Sequence, residues 1–133
     1  MIGVVVVTHG QLAIELLNAA ETIVGDLPRF AAVSIGWHED TDDARKEIAD
    51  AVGRVQQGQG VLILTDMFGG TPSNLAMTFL GPEVEVITGV NLPMLIKLAG
   101  LTEQASLIDA AREMREHGRN AIWVASDLLR GEK

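Results

Sequence analysis

A chain of 133 residues that is 47% hydrophobic has the size of one ordinary domain and the apolar side chains to bury a core without staples, so a single domain over residues 1–133 is expected. Cysteine is absent, which removes disulfide scaffolding, thiol nucleophiles and cysteine-ligated metal, and makes the cytoplasm the default setting. Ten basic against eighteen acidic side chains leave a net charge of −8, which repels phosphate backbones and anionic lipid; nucleic acid and membrane surfaces are not expected partners.

The chain opens on Met1-Ile2-Gly3-Val4-Val5-Val6-Val7-Thr8-His9-Gly10. Its apolar run is too short to span a bilayer, and it carries neither a basic leader nor a small-residue cleavage site, so it reads neither as a signal peptide nor as an anchor. Residues 4–7 are β-branched without polar alternation, the pattern of a parallel strand covered on both faces. Leu12, Leu16, Leu17, Ala20, Ile23 and Val24 then recur at helical spacing, and Gly25 with Pro28 closes that helix. A short strand is expected over residues 30–35 and a loop over residues 36–40. Thr41 suits the cap of a helix reaching about Gln57, with Asp42 and Asp43 well placed in its first turn.

After the Gly58-Gln59-Gly60 turn, residues 61–65 (VLILT) again have the composition of a doubly buried strand. In the following loop, Thr71 suits an N-cap and Pro72 the first helical position. A fourth strand is expected over residues 84–88. Gly89-Val90-Asn91-Leu92-Pro93 then leads into a short helix, Thr102 caps another, and Gly118 stops it. Residues 120–126 (NAIWVAS) read as a fifth strand. Such alternation predicts a flavodoxin-like α/β fold, a parallel sheet with helices on both faces.

Ligands of open α/β sheets sit outside the carboxyl ends of the strands. The first strand delivers Thr8, His9 and Gly10 to that edge, the second residues 36–40, the third residues 66–73, and the fourth residues 88–91. A histidine at a strand end can serve simply as a backbone hydrogen-bonding group. Here, however, Gly10 turns the chain at once into a helix, which leaves the ring near a positive helix end where an anion on it would be stabilised. Asp66 has two readings as well, a cap for the next helix or the acceptor of a histidine Nδ1 proton. In the second role it fixes the tautomer with the Nε2 lone pair free and steadies developing positive charge, which makes His9 a nucleophile. Gly69 and Gly70 admit close approach of backbone N–H groups, and with Thr71 they suit a phosphoryl pocket.

Other chemistries fit less well. His38 lies beside Glu39 and Asp40 and reads as part of a solvated acidic turn, so no metal site is assigned. Neither a GxxxxGK[ST] loop nor a GxGxxG turn is present. Ser73 stands in a helical first turn and not in a GxSxG elbow, and His117 reads as a solvent-facing residue beside a helix C-terminus.

VVVVTHG at residues 4–10, LTDMFGGTPSN at residues 64–74 and GVNLPML at residues 89–95 together resemble the IIA component of the mannose-class sugar phosphotransferase system. The resemblance spans essentially the whole chain. It implies that His9, without cofactor or metal, accepts a phosphoryl group on Nε2 from the phosphocarrier HPr and passes it to a IIB component. Asp66 would be the orienting carboxylate, and Gly69, Gly70 and Thr71 the phosphoryl-binding turn. It further implies a homodimer whose last strand joins the partner's sheet antiparallel. Because no linker follows before Lys133, IIB is expected on a separate chain. Trp37, Met67 and Phe68 fit two roles, carrier docking or plain loop packing. The main alternative is a regulatory phosphoprotein that signals the state of the system without transport; a flavodoxin-like small-ligand pocket is a third reading, and it lacks its fingerprints.

Overall fold

β1, Gly3–His9, lies inside a four-stranded sheet of order β2-β1-β3-β4. In this computed structural model, which describes residues 1–37, 39–101 and 106–131, the partners of β1 are β2 (Phe30–Ile35) and β3 (Val61–Thr65), with β4 (Val84–Thr88) at the outer edge beside β3. The three strand ladders are parallel, with Val4 opposite Phe30, Val7 opposite Thr65, and Thr65 opposite Thr88. The order is that of flavodoxin-like folds, in which the connections diverge between β1 and β3.

Valines suit β1 because both of its faces are covered. Val4 and Val6 pack with Leu62 and Leu64 against α1 (Leu12–Val24), α4 (Leu92–Ala99) and α5 (Leu107–Asn120). On the opposite face, Val5 and Val7 pack with Val33 and Ile63 against α2 (Thr41–Val55) and α3 (Thr71–Met77). The helices match this division. Ala44, Ile48, Ala51 and Val55 form the buried stripe of α2, and each large side chain so buried contributes about 1.5–3 kcal/mol. Among the described residues no helix is long and apolar enough to cross a membrane.

Several boundaries differ from expectation. α2 is capped by Asp40, whose side chain accepts from the Asp42 N–H, and Thr41 is already helical; both residue types cap well, and the aspartate comes first. α2 closes at Val55, because the Gln56 side chain turns to accept from the Gly58 and Gly60 N–H groups. Gly70 and not Thr71 occupies the N-cap of α3. Thr102 and His38 lie outside the described residues; the cap of α5 is Ser106, and that helix runs past Gly118 to Asn120.

The largest departure is at the C-terminus, where residues 120–126 do not form a fifth strand within the chain. Asn120 closes α5, residues 121–124 carry no ladder pairing, and Ala125–Leu129 coils into a short α6. The β-branched and aromatic character of Ile122, Trp123 and Val124 favours extension, and Val124 is extended (φ −87°, ψ 121°). A strand also needs a neighbour to pair with, and within a single copy residues 121–124 are not laddered to either edge of the sheet.

Candidate functional site

The side-chain alternation of β1 decides what its last two residues face. Thr8 follows Val4 and Val6 toward α1, while His9 follows Val5 and Val7 toward α3. Thr8 is fully buried. Its Oγ1 accepts from the Ala13 N–H at 2.7 Å and donates to the His9 carbonyl at 3.1 Å. The strand end and the first turn of α1 are therefore locked together, and the Gly10 N–H donates across to the Ile35 carbonyl at the end of β2 at 3.0 Å.

Asp66 directly follows β3 and continues the sheet with its side chain. Its Oδ2 accepts from the His9 backbone N–H at 3.0 Å and lies 2.7 Å from His9 Nδ1, while Oδ1 accepts from the Met67 N–H at 2.9 Å. Burial pushes this carboxyl up, but the hydrogen bonds from the His9 backbone and ring and from Met67 outweigh it and hold Asp66 below the usual carboxylate range. The carboxylate can then only accept, so Nδ1 carries the proton and Nε2 keeps its lone pair. The His9 side chain is 53% exposed and that of Asp66 13%, so the ring reaches solvent while its partner is shielded.

The loop after Asp66 closes over the ring. Gly69 has φ 96°, a left-handed conformation that favours glycine. Gly70 adopts ordinary extended backbone, and its lack of a side chain matters for another reason. A Cβ there would stand 2.7 Å from His9 Cε1 and 3.0 Å from Nε2. Thr71 begins α3 immediately afterwards.

His9 is thus bonded to Asp66 and lies against the backbone of Gly70, which Gly69 and Thr71 flank in the chain. Met67 and Phe68 are exposed on the same loop, and Trp37, 91% exposed, stands beyond the end of the adjacent β2. His117 is half-buried in the last turn of α5, not solvent-facing as expected. Two supports escaped the sequence reading, Thr8 and the pair Thr65–Ser73. The Thr65 and Ser73 hydroxyls lie 2.6 Å apart, and Ser73 donates to the Met67 carbonyl. A threonine before the strand-end histidine, five residues ahead of Ala13, was the available signal for the first; contacts between β3 and α3 leave none for the second.

A half-exposed imidazole tied at Nδ1, with no carboxylate on Nε2 among the described residues, can act as a nucleophile or take up a proton. A family profile described as PTS system fructose IIA component matches residues 3–115. The chain is 29% identical over 131 residues to the PTS system fructose-specific EIIA component of Bacillus subtilis (strain 168), covering 97% of this chain and 90% of that one. It is 32% identical over 124 residues to the PTS system mannose-specific EIIAB component of Escherichia coli (strain K12), covering 91% of this chain but only 38% of the longer relative. Among solved structures, the mannose/sorbose specific IIA subunit of the phosphotransferase system from Enterococcus faecalis superposes with a TM-score of 0.83 at 28% identity, over 92% of this chain and 93% of that one.

Proposed function

This chain belongs to the family of PTS system fructose and mannose IIA components, phosphotransferases of sugar phosphotransferase systems, and from that premise we propose that His9 is the residue that carries the phosphoryl group. The observation that supports this most is the 2.7 Å contact of Nδ1 with Asp66, which leaves Nε2 as the ring nitrogen not held by the carboxylate, beside Gly70.

The transfer then balances without cofactor or metal. The Nε2 lone pair attacks the phosphorus of phosphorylated HPr; a new N–P bond forms while the donor's N–P bond breaks and its electron pair returns to the donor imidazole. Asp66 offsets the positive charge that appears on the His9 ring, as the orienting carboxylate does in a serine-protease triad. Backbone N–H groups of Gly69, Gly70 and Thr71 receive the phosphoryl oxygens. In the second half-reaction an acceptor group on IIB attacks the phosphorus, and the bond to Nε2 breaks with its electrons returning to His9. Since phosphohistidine is itself an energetic donor, the protein needs only to orient, shield and release the group.

Both carriers must reach the same edge of the sheet in turn. Trp37, Met67 and Phe68 are exposed beside it and suit the apolar centre of a small, transient docking surface. The setting is cytoplasmic, with residues 1–133 acting as one domain and as a homodimer. For the dimer, the support is an open edge on β4 and a groove of about 440 Å³ beside it, into which the apolar residues 120–126 of a second copy can pair antiparallel.

The test is incubation of the chain with phosphoenolpyruvate, enzyme I and HPr. Acid-labile label should appear on the intact chain, move to a IIB acceptor when one is added, and be absent from His9→Ala. Label retained by that variant overturns the assignment.

A further inference from the structure

The carboxylate that orients His9 is itself held in place by residues of β3 and α3. Asp66 sits between Thr65 and Met67, and both of these neighbours are tied to one hydroxyl, that of Ser73 in the first turn of α3. Ser73 Oγ donates to the Met67 carbonyl. It has a single proton, so in its 2.6 Å contact with Thr65 it must accept, and Thr65 Oγ1 is the donor. The direction of the whole chain follows: Thr65 hydroxyl to Ser73 hydroxyl to Met67 carbonyl. The Met67 N–H in turn donates to Asp66 Oδ1, and Asp66 Oδ2 takes the His9 N–H and Nδ1. Thr65 and Ser73 are both 0% exposed, so water does not stand in for either hydroxyl.

We propose that Thr65 and Ser73 are positioning residues for phosphoryl transfer: their buried hydroxyl pair clamps the Met67 peptide and so sets the angle at which Asp66 meets Nδ1 of His9. The proposal rests on the reading of His9 as the phosphoryl carrier. Its physical basis is that a carboxylate on a loop has two free torsions, and the clamp removes the backbone freedom on either side of them. A shift of about 1 Å in a reacting group placed by such a scaffold costs on the order of 10²-fold in rate.

The test compares Ser73→Ala, Thr65→Val and Thr65→Ser. Thr65→Val keeps the shape and removes the donor, whereas Thr65→Ser keeps the donor. Three quantities are read: thermal unfolding, the imidazole proton and nitrogen resonances of His9 in the unphosphorylated protein, and the single-turnover rate from phosphorylated HPr. Ser73→Ala and Thr65→Val should each shift or broaden the Nδ1–H resonance and slow transfer by roughly 10–10²-fold, and Thr65→Ser should restore both. Lost stability with an unchanged resonance and unchanged rate makes the pair merely structural and overturns the proposal, as does a Thr65→Ser protein that behaves like Thr65→Val. If Ser73→Ala does not fold, the two Thr65 variants decide. If the wild-type chain takes no phosphoryl group on His9, the relay reading fails, and the ring resonances decide the positioning role alone.

Discussion

One oxygen of Asp66 holds His9 at two points, accepting from its backbone N–H at 3.0 Å while lying 2.7 Å from its ring Nδ1. The strand end and the imidazole are therefore oriented by the same atom, across 57 positions of sequence. Asp66→Asn preserves the shape and removes the charge, and its amide offers a donor where the ring needs an acceptor. Loss of a comparable tautomer-setting carboxylate in a serine protease costs on the order of 10⁴ in rate, so phosphoryl transfer to His9 should slow by roughly 10²–10⁴. Single-turnover measurement with phosphorylated HPr checks this, and an unchanged rate removes Asp66 from the mechanism.

Gly70 offers a steric test of the same arrangement. Its backbone (φ −95°, ψ 173°) accepts alanine without strain, so Gly70→Ala acts only through the new methyl, 2.7 Å from His9 Cε1. The exposed ring can swing away, but doing so loosens its bond to Asp66. Thermal stability should stay close to wild type while transfer falls by roughly 10–10²-fold. A variant that transfers at the wild-type rate shows that ring placement against this loop is unimportant.

How much of this was visible in the sequence depended on the range of the interactions involved. β1 was legible because a run of valines with no polar alternation fits only a strand covered on both faces, and the edge that it delivers His9 to follows from topology. Asp66 was legible through its position just past β3, at the matching end of the neighbouring strand. The caps of α2 and α3 were misplaced by one residue, since Asp40 and Thr41 compete as caps and Gly70 has no side chain to signal one. Residues 120–126 read as a strand because Ile122, Trp123 and Val124 favour extension, yet pairing depends on an edge that the sequence of one copy does not reveal. The Thr65–Ser73 bond was invisible for a similar reason: it exists only once α3 has folded back on β3.

Acid should expose the contribution of Asp66 to stability. Its carboxyl is held below the usual range in the folded protein, so the folded state prefers the ionised form more strongly than the unfolded chain does. Stability from this group is complete above the ordinary carboxylate value of about 4 and is lost as pH falls through the depressed folded value. Asp66→Asn should therefore be less stable than wild type near neutral pH, with the gap closing in acid. The backbone N–H groups of His9 and Met67 supply two of the hydrogen bonds, and the His9 ring, by its hydrogen bond and its charge, adds to the same effect. Denaturant titrations at neutral and strongly acidic pH check it, and a gap of constant size contradicts it.

The exposed apolar C-terminus gives the proposed homodimer its test. Ile122 is 74% exposed and Val124 65%, although both follow α5 directly and belong to a segment with the composition of a strand. Among the described residues the ladder of β4 is with β3 alone; past the bridge from Gly81 to Val84 its other edge has no neighbouring strand, and Ile122 borders the groove alongside it. An edge of this kind is a template for another chain. Exchange of residues 120–126 between two copies would supply each with the antiparallel neighbour it lacks and remove apolar side chains from water. Sedimentation at micromolar concentration should give about twice the 14.2 kDa of one chain. Val124→Asp touches no contact within the core and leaves α5 intact, so it should yield a folded monomer in which His9 is still phosphorylated by HPr. Removing residues 121–133 should lower solubility as well as dimerisation, because the β4 edge is then left bare. A stable monomer of the intact chain across the micromolar range refutes the exchanged segment and leaves the chemistry of His9 and Asp66 untouched.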